Sequence, residues 1–464
     1  MRLVDDRRQK TGKSPASPAK DRSEAPTIAG GGSESTAVKR ESERPALIEQ
    51  VMEEVCHQDN LKAALKRVRA NKGSPGVDGM TVDDLPGYLK DHWPAHRDQL
   101  MQGTYQPAPV KRVDIPKPGG GSRKLGIPSV LDRFIQQAVM QVLQRYWDRT
   151  FSAWSFGFRP ERSAHQAVAR AQSLIARGCR WVADIDLEKF FDRVCHDILM
   201  SRIARRVGDK RLLHLIRAFL RAGMMENGLV SPTEEGTPQG GPLSPLLSNL
   251  LLDDLDQELE RRGLQFVRYA DDCNIYVRSE RAGHRVMASV TRFLTDRLNL
   301  KVNETKSAVA RPWTRKFLGF SFTTHKETRR RVVPQALDRF KERIRVLTRR
   351  TRGASLPQMT EQLSRYLTGW RGYFRFAATP TVFRDLDSWI RRRLRSAVWK
   401  QWKRGKVRYK ELVKRGVSRE LAAQTAGSAH GPWHISRSPA LSYAFSGAYL
   451  DSLGLPRLNV RTGA

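Results

Sequence analysis

Two spacings of apolar residues alternate along the chain. From Pro45 they recur at helical intervals in LIEQVMEEVCHQDNLKAALKRVRA, and the pattern breaks at NKGSPGVDG, where glycines and a proline enforce turns. Between Gln106 and Phe322 short runs of β-formers (VKRVDIP, WVADIDL, FVRYA, NIYV, FLGFSF) alternate with longer amphipathic segments such as HQAVARAQSLIARG. This predicts a mixed α+β region, with no indication of a parallel, doubly wound sheet. Farther on, Leu363, Leu367, Trp370 and Phe374 make a stripe at helical spacing, and Trp389, Trp399 and Trp402 stand among arginines, so the C-terminal part is expected to be helical. Residues 1–45 contain no aromatic residue and are rich in Ser, Pro, Gly, Glu and Arg, a composition that buries too little to fold.

Charge changes the picture most. The 464 residues carry 83 Lys+Arg against 48 Asp+Glu, a net +35. Such an excess repels itself unless a polyanion offsets it, which makes nucleic acid the expected partner. From Glu327 to Glu420 there are 27 Lys/Arg and 8 Asp/Glu, so this fifth of the chain supplies +19. A helical, nucleic-acid-facing domain is expected there, with its tryptophans readable equally as core or as contacts. No apolar run approaches the roughly 18 residues of a membrane span, and MRLVDDRRQK has no signal-peptide core, which points to the cytosol and away from a membrane. Cys56, Cys179, Cys195 and Cys273 show no CxxC spacing and read as reduced bystanders.

Against this basic background, FVRYADDCNIYV places Asp271 and Asp272 between two β-forming runs. Alone, such a pair is most often a turn. A second acidic element, WVADIDLEKFFDRVCHD, ends a β-like run at Asp184 and Asp186, which alternation puts on one strand face. Were that strand to lie beside the hairpin, Asp186 and Asp271 would jointly hold two Mg²⁺ about 3.5–4 Å apart, the arrangement that aligns an attacking hydroxyl and a leaving pyrophosphate. Asp184 and Asp192 read as helix-capping or solvated carboxylates.

Phosphate-binding candidates lie upstream. In VDIPKPGGGSRKLGIP, Lys117 and Arg123 flank a glycine run, and Arg159 follows Phe158 in SFGFRPERS; taken singly, each reads as readily as an ordinary basic loop. GTPQGGPLSPLLSNLLL is so rich in Gly and Pro that its backbone must approach something closely, and Gln239 brings both a donor and an acceptor to it.

In this order, IPKPGGGSRKLGIPSVLDR, SFGFRPERSAHQA, DIDLEKFFDRVCHD, GTPQGGPLSPLLSN, RYADD, LKVNETKS and RKFLGFSF resemble the fingers and palm blocks of bacterial group II intron-encoded reverse transcriptases, also called maturases. YLTGWRGYF, LDSWIRRRLRSAVWKQWKRGK and HGPWHISRSPALSYA resemble that family's thumb-and-maturase region, which retron polymerases lack. The resemblance implies a right-hand polymerase: fingers and palm, an antiparallel sheet with helices, over 46–325, a helical thumb/maturase domain over 326–420, and a basic tail over 421–464. It implies Asp186, Asp271 and Asp272 as catalytic metal ligands for Mg²⁺. Lys117, Arg123 and Arg159 would contact the triphosphate, Gln239 would lie beside the nascent pair, and Lys306 would approach the nucleotide phosphates. Phe191, five residues after Asp186, would block a 2′-hydroxyl. The implied activity is RNA-directed DNA synthesis from dNTPs on an RNA template and DNA primer. It is joined to binding of group II intron RNA for splicing and mobility at target DNA, in a bacterial cytoplasmic ribonucleoprotein. The form resembled is the one without an HNH endonuclease domain. Two alternatives are an RNA-binding splicing factor with a relic polymerase and a host reverse transcriptase without an intron.

Overall fold

The computed structural model describes residues 48–116, 121–226, 228–324 and 327–459. The expected unfolded arm over 1–45 lies outside them, as do Lys117, Gly119 and Gly120 of the glycine-rich turn.

The N-terminal helical pattern forms α1 (Val51–Val55) and α2 (Gln58–Ala70), interrupted at Cys56 and His57, followed by α3 (Leu85–Gln102). The hairpin β1 (Val110–Pro116) and β2 (Ser122–Ile127) leads into α4 (Val130–Trp147), which Ser129 caps by accepting from the Asp132 N–H. A reciprocal cap between Ser163 and Gln166 starts α5 (Ala164–Ala176). Next come β3 (Trp181–Ile185), a 3₁₀ turn at Phe190–Asp192, α6 (His196–Ala204), α7 (Lys210–Arg221), β4 (Met224–Glu226), β5 (Leu229–Ser231) and α8 (Ser244–Arg261). The hairpin β6 (Gln265–Tyr269) and β7 (Asp272–Val277), α9 (Glu280–Leu298), β8 (Ala308–Ala310), β9 (Phe320–Phe322) and β10 (Arg330–Val332) complete the mixed region.

Two sheets matter. The first runs β2-β1-β4-β5, with one parallel pairing between β1 and β4. The second runs β6-β7-β3-β8 and is antiparallel throughout. Period-two alternation divides the second sheet between two cores. Ala183, Ile185, Cys273 and Ile275 join the cluster with α1–α4 and α6–α9. Val182, Val267 and Tyr276 point the other way and pack with α5 and the C-terminal helices. Asp184 and Asp186 share the face of Val182, so the acids of β3 stand where that second core opens.

Beyond β10 every regular element among the described residues is helical: α10 (Pro334–Leu347), α11 (Leu356–Phe374), α12 (Pro380–Gln401), α13 (Gly405–Lys414), α14 (Arg419–Ala426), α15 (Pro432–Ile435), α16 (Pro439–Ala444) and α17 (Gly447–Ser452). The stripe on α11 is core: Leu363 and Leu367 are fully buried, and Trp370 packs at a tilt against Phe340 and Phe374. Trp399 is likewise buried, while Trp389 is only half-buried. All four cysteines are free thiols. No helix among the described residues is long and apolar enough to cross a membrane.

Candidate functional site

The β3/β7 register pairs Ile185 with Cys273 and Asp184 with Asn274. One step further along the same register, Asp186 comes opposite Asp272. Tyr269 pairs with Asp272 across the hairpin, leaving Ala270 and Asp271 as a two-residue turn. Ala270 takes φ 57, the positive value such turns demand. Adjacency of β3 and β7 therefore gathers residues 85 positions apart at one end of the sheet.

The carboxylates feel one another. Burial of its surroundings and the neighbouring charges of Asp271, Asp184 and Asp186 push the Asp272 carboxyl up to about 7, although its side chain reaches solvent. Asp184 is not the capping or solvated carboxylate expected: it pairs with Arg315, whose Nε donates to Oδ2 at 2.7 Å, and burial outweighs that pairing to raise its pKa. Asp186 accepts from Lys306 Nζ at 3.1 Å. The segment carrying Lys306 is docked on the backbone of Asp186. Its Asn303 N–H donates to Asp186 O at 2.8 Å, and Ser307 Oγ accepts from Asp186 N–H at 3.0 Å. Among the described residues, no three His, Cys, Asp or Glu side chains stand close enough to enclose one ion as they are. The donor set is nonetheless all carboxylate oxygen, which suits a hard divalent cation, and its mutual repulsion is of the sign a cation relieves.

The segments that carry Phe191 and Gln239 are bonded to each other. Phe191 packs edge-on against Phe190 at 5.2 Å. Its carbonyl accepts from Thr237 N–H at 2.6 Å, and a Cβ on Gly236 would come within 2.9 Å of that oxygen, which is the close approach the Gly-Pro segment requires. Gln239 Nε2 reaches Asp192 Oδ1 at 3.4 Å, and its carbonyl accepts from Gly126 N–H of β2 at 2.9 Å, so its loop ties β2 to the 3₁₀ turn after β3. Asp192 is exposed, as expected of a solvated carboxylate.

Arg159 corrects the expectation of a triphosphate contact. It is buried, and its guanidinium is spent inside the fold. Nε donates to Asp148 Oδ1 at 2.8 Å, one terminal nitrogen to the carbonyls of Ser152 and Ser155, and the other to Asp148 O. An Arg with every donor so engaged is a structural latch. Arg123 lies in β2 opposite Ile115; Lys117 lies outside the described residues.

Sequence reading passed over the support beneath the acidic turn. Arg268 is fully buried and forms a two-pronged pair with Asp256 of α8, Nε to Oδ1 at 2.7 Å. Its other terminal nitrogen donates to Asn249 Oδ1 and to Ala270 O, both at 3.0 Å. Burial opposes charge on Arg268, but Asp256 prevails and raises the guanidinium's pKa; burial also raises the Asp256 carboxyl, and the two-pronged geometry is what favours the charged pair. Gly157 seals the turn from below: a Cβ there would lie 2.2 Å from Ala270 N. The readable signal was a lone arginine in the apolar strand FVRYA and a lone acid on the apolar face of LLLDDLDQEL.

Asp253 borders this network. Burial and the Asp256 charge push it up to about 7, and Gln257 donates to its Oδ2 at 2.6 Å. The native state holds this proton up to about pH 7, whereas an unfolded chain releases it near pH 4. The associated stability is therefore complete below about pH 4 and lost as pH climbs through 7. Asp253→Asn is expected to raise the melting temperature more at pH 8 than at pH 5; thermal unfolding showing an equal or opposite change would remove this assignment.

An antiparallel sheet that collects carboxylates from the end of one inner strand and from the adjoining hairpin turn is the palm of a template-directed polymerase. Residues 115–322 match the family "Reverse transcriptase (RNA-dependent DNA polymerase)", and residues 337–416 match "Group II intron, maturase-specific domain". The chain thus joins a region matching reverse transcriptases to a region matching the group II intron maturase domain. It is 39% identical to Protein YkfC of Escherichia coli (strain K12), over 47% of this chain and 58% of that protein. It is 36% identical to Group II intron-encoded protein LtrA of Lactococcus lactis subsp. cremoris, over 44% of this chain and 34% of that one. Among solved structures it is similar to a chain of a partial Cas6-RT-Cas1–Cas2 complex, at 23% identity and a TM-score of 0.35, over 53% of this chain and 42% of that one. The chain thus spans only part of the length of each.

Proposed function

We propose that the chain is an RNA-directed DNA polymerase that also binds group II intron RNA and assists its splicing and mobility at target DNA. The observation that carries this reading is the meeting of Asp186 with the Asp271–Asp272 turn on one face of the antiparallel sheet. Asp186, Asp271 and Asp272 would hold Mg²⁺, which when bound supplies charge neutralisation for an attacking 3′-hydroxyl and a leaving pyrophosphate. Lys306, already paired with Asp186, keeps a mobile cation beside the incoming triphosphate, and Arg123 of β2 serves the same phosphates. Gln239, tied to β2 through its carbonyl, lies against the nascent pair. The arginine-rich helices from α10 onward bind intron RNA by neutralising its phosphates, so affinity should fall steeply with salt.

The test is extension of a DNA primer on an RNA template with dNTPs and Mg²⁺. Divalent-dependent synthesis is expected, and its absence from the folded wild-type chain would leave an RNA-binding protein with a relic polymerase. Phe191 gives a second expected outcome. Its ring is half-buried on Phe190 five residues past Asp186, where it would exclude a 2′-hydroxyl. Phe191→Ala is expected to raise ribonucleotide incorporation by on the order of tenfold or more; unchanged sugar discrimination would remove Phe191 from this role.

A further inference from the structure

The end of α10, the segment after it, α12 and the short α15 enclose a cavity of about 260 Å³ lined by Arg345, Arg350, Trp389, Arg393, Ser396 and Trp433. From this we infer that the cavity receives a single unpaired nucleotide of bound RNA, its base against a tryptophan and its phosphates on the arginines. The inference rests on the RNA-binding half of the proposed function and names a site for it.

Four observations support it. First, the charge is uncompensated: among the described residues no carboxylate pairs with Arg345, Arg350 or Arg393. Burial, and then the charges of Arg345 and Arg350, hold the Arg393 guanidinium below its ordinary pKa. Second, the guanidinium of Arg393 is fixed rather than free to swing, since its Nε donates to Thr348 Oγ1 at 2.6 Å. Third, the aromatic walls are accessible. Trp433 is 38% exposed, with Arg392 stacked on it at 3.8 Å and donating to its carbonyl at 3.0 Å. Trp389 carries Arg393 and Arg345 at 5.5 and 5.9 Å. Fourth, Ser396 in the cavity lining is 2% exposed, and its hydroxyl has no partner among the described residues. A buried hydroxyl without a partner is costly, and a base edge would supply one.

The size decides between occupants. At about 260 Å³ the cavity falls just below the roughly 300–1,000 Å³ of drug-sized sites, the scale of one base with its phosphate and too small for a duplex. Unstacked bases seated on aromatic rings and guanidinium planes are the ordinary means by which proteins read RNA loops and bulges.

The test uses the full chain and three labelled RNA hairpins: fully paired, with a one-nucleotide bulge, and with an abasic residue at the bulge. The wild type is expected to prefer the bulged hairpin by roughly tenfold, the worth of one base–aromatic stack, and the abasic hairpin to lose that preference. Trp433→Ala should abolish the preference, Trp433→Phe should retain it, and Ser396→Ala should change the ranking of the four bulged bases. Because preference is a ratio within each variant, general weakening does not imitate it. In the wild type, 2-aminopurine at the bulge should be quenched on binding, which needs no variant at all. Equal binding of the three hairpins, an unchanged ratio in Trp433→Ala, or unquenched 2-aminopurine would each overturn the assignment. Primer extension by the same preparation separates the readings: extension without bulge preference removes this cavity's role alone, and bulge preference without extension removes the polymerase alone.

Discussion

Asp271→Ala is expected to lower RNA-templated primer extension by on the order of 10³-fold, with no comparable loss of template–primer binding. A metal-ligand carboxylate at the reacting phosphate contributes several kcal/mol to the transition state, and each 1.36 kcal/mol is about tenfold in rate. The hairpin around Asp271 is set by strand pairing on both sides and by Arg268 beneath Ala270, so the loss should fall on the chemical step. Single-turnover extension within about threefold of wild type would exclude Asp271 from the reaction. An RNA-binding protein with a relic site would show no divalent-dependent extension in either form.

The second large effect is on the support rather than the site. Arg268→Met should destabilise the chain by about 3–5 kcal/mol, because it leaves the Asp256 carboxyl fully buried and without its partner. The same change removes the donor to Ala270 O, so extension should fall along with stability. Replacing both partners, Arg268→Met with Asp256→Leu, should recover much of the stability, since no charge is then stranded, but not the extension rate, since Ala270 O still lacks its donor. Denaturant unfolding and extension on the three variants check this. A single variant as stable as wild type, or a double variant less stable than the single, would contradict the role given to the pair.

The division between what the sequence disclosed and what it hid follows the range of the interactions involved. Elements set by local period were readable: VKRVDIP, WVADIDL and the two arms of FVRYADDCNIYV fall on β1, β3, β6 and β7, and HQAVARAQSLIARG falls on α5. The three-residue strands β4, β5, β8 and β10 were not, because so few residues carry no period and are fixed by a neighbouring strand. The acids alone suggest that β3 pairs with β7, and the register supports their convergence. Arg159 misled because a basic residue in a loop looks the same whether its guanidinium faces solvent or Asp148. Arg268 and Asp256 escaped because a buried ion pair is visible only when both partners are recognised together, and they come from different elements. The tryptophans divided as their chemistry allowed: Trp399 went to the core, whereas Trp389 kept a face open among arginines.

Iron(II) placed at the divalent sites, with RNA template, chain-terminated primer and dNTP present, generates hydroxyl radicals that cut the nearest polypeptide. Cuts at both the 186 and the 271 segments, competed away by Mg²⁺ and lost together in Asp186→Ala, are what shared coordination across β3 and β7 predicts. Cutting at one segment alone, or at both regardless of the substitution, would mean that the two acids do not serve a common ion and that the palm proposed for this chain is not a catalytic one.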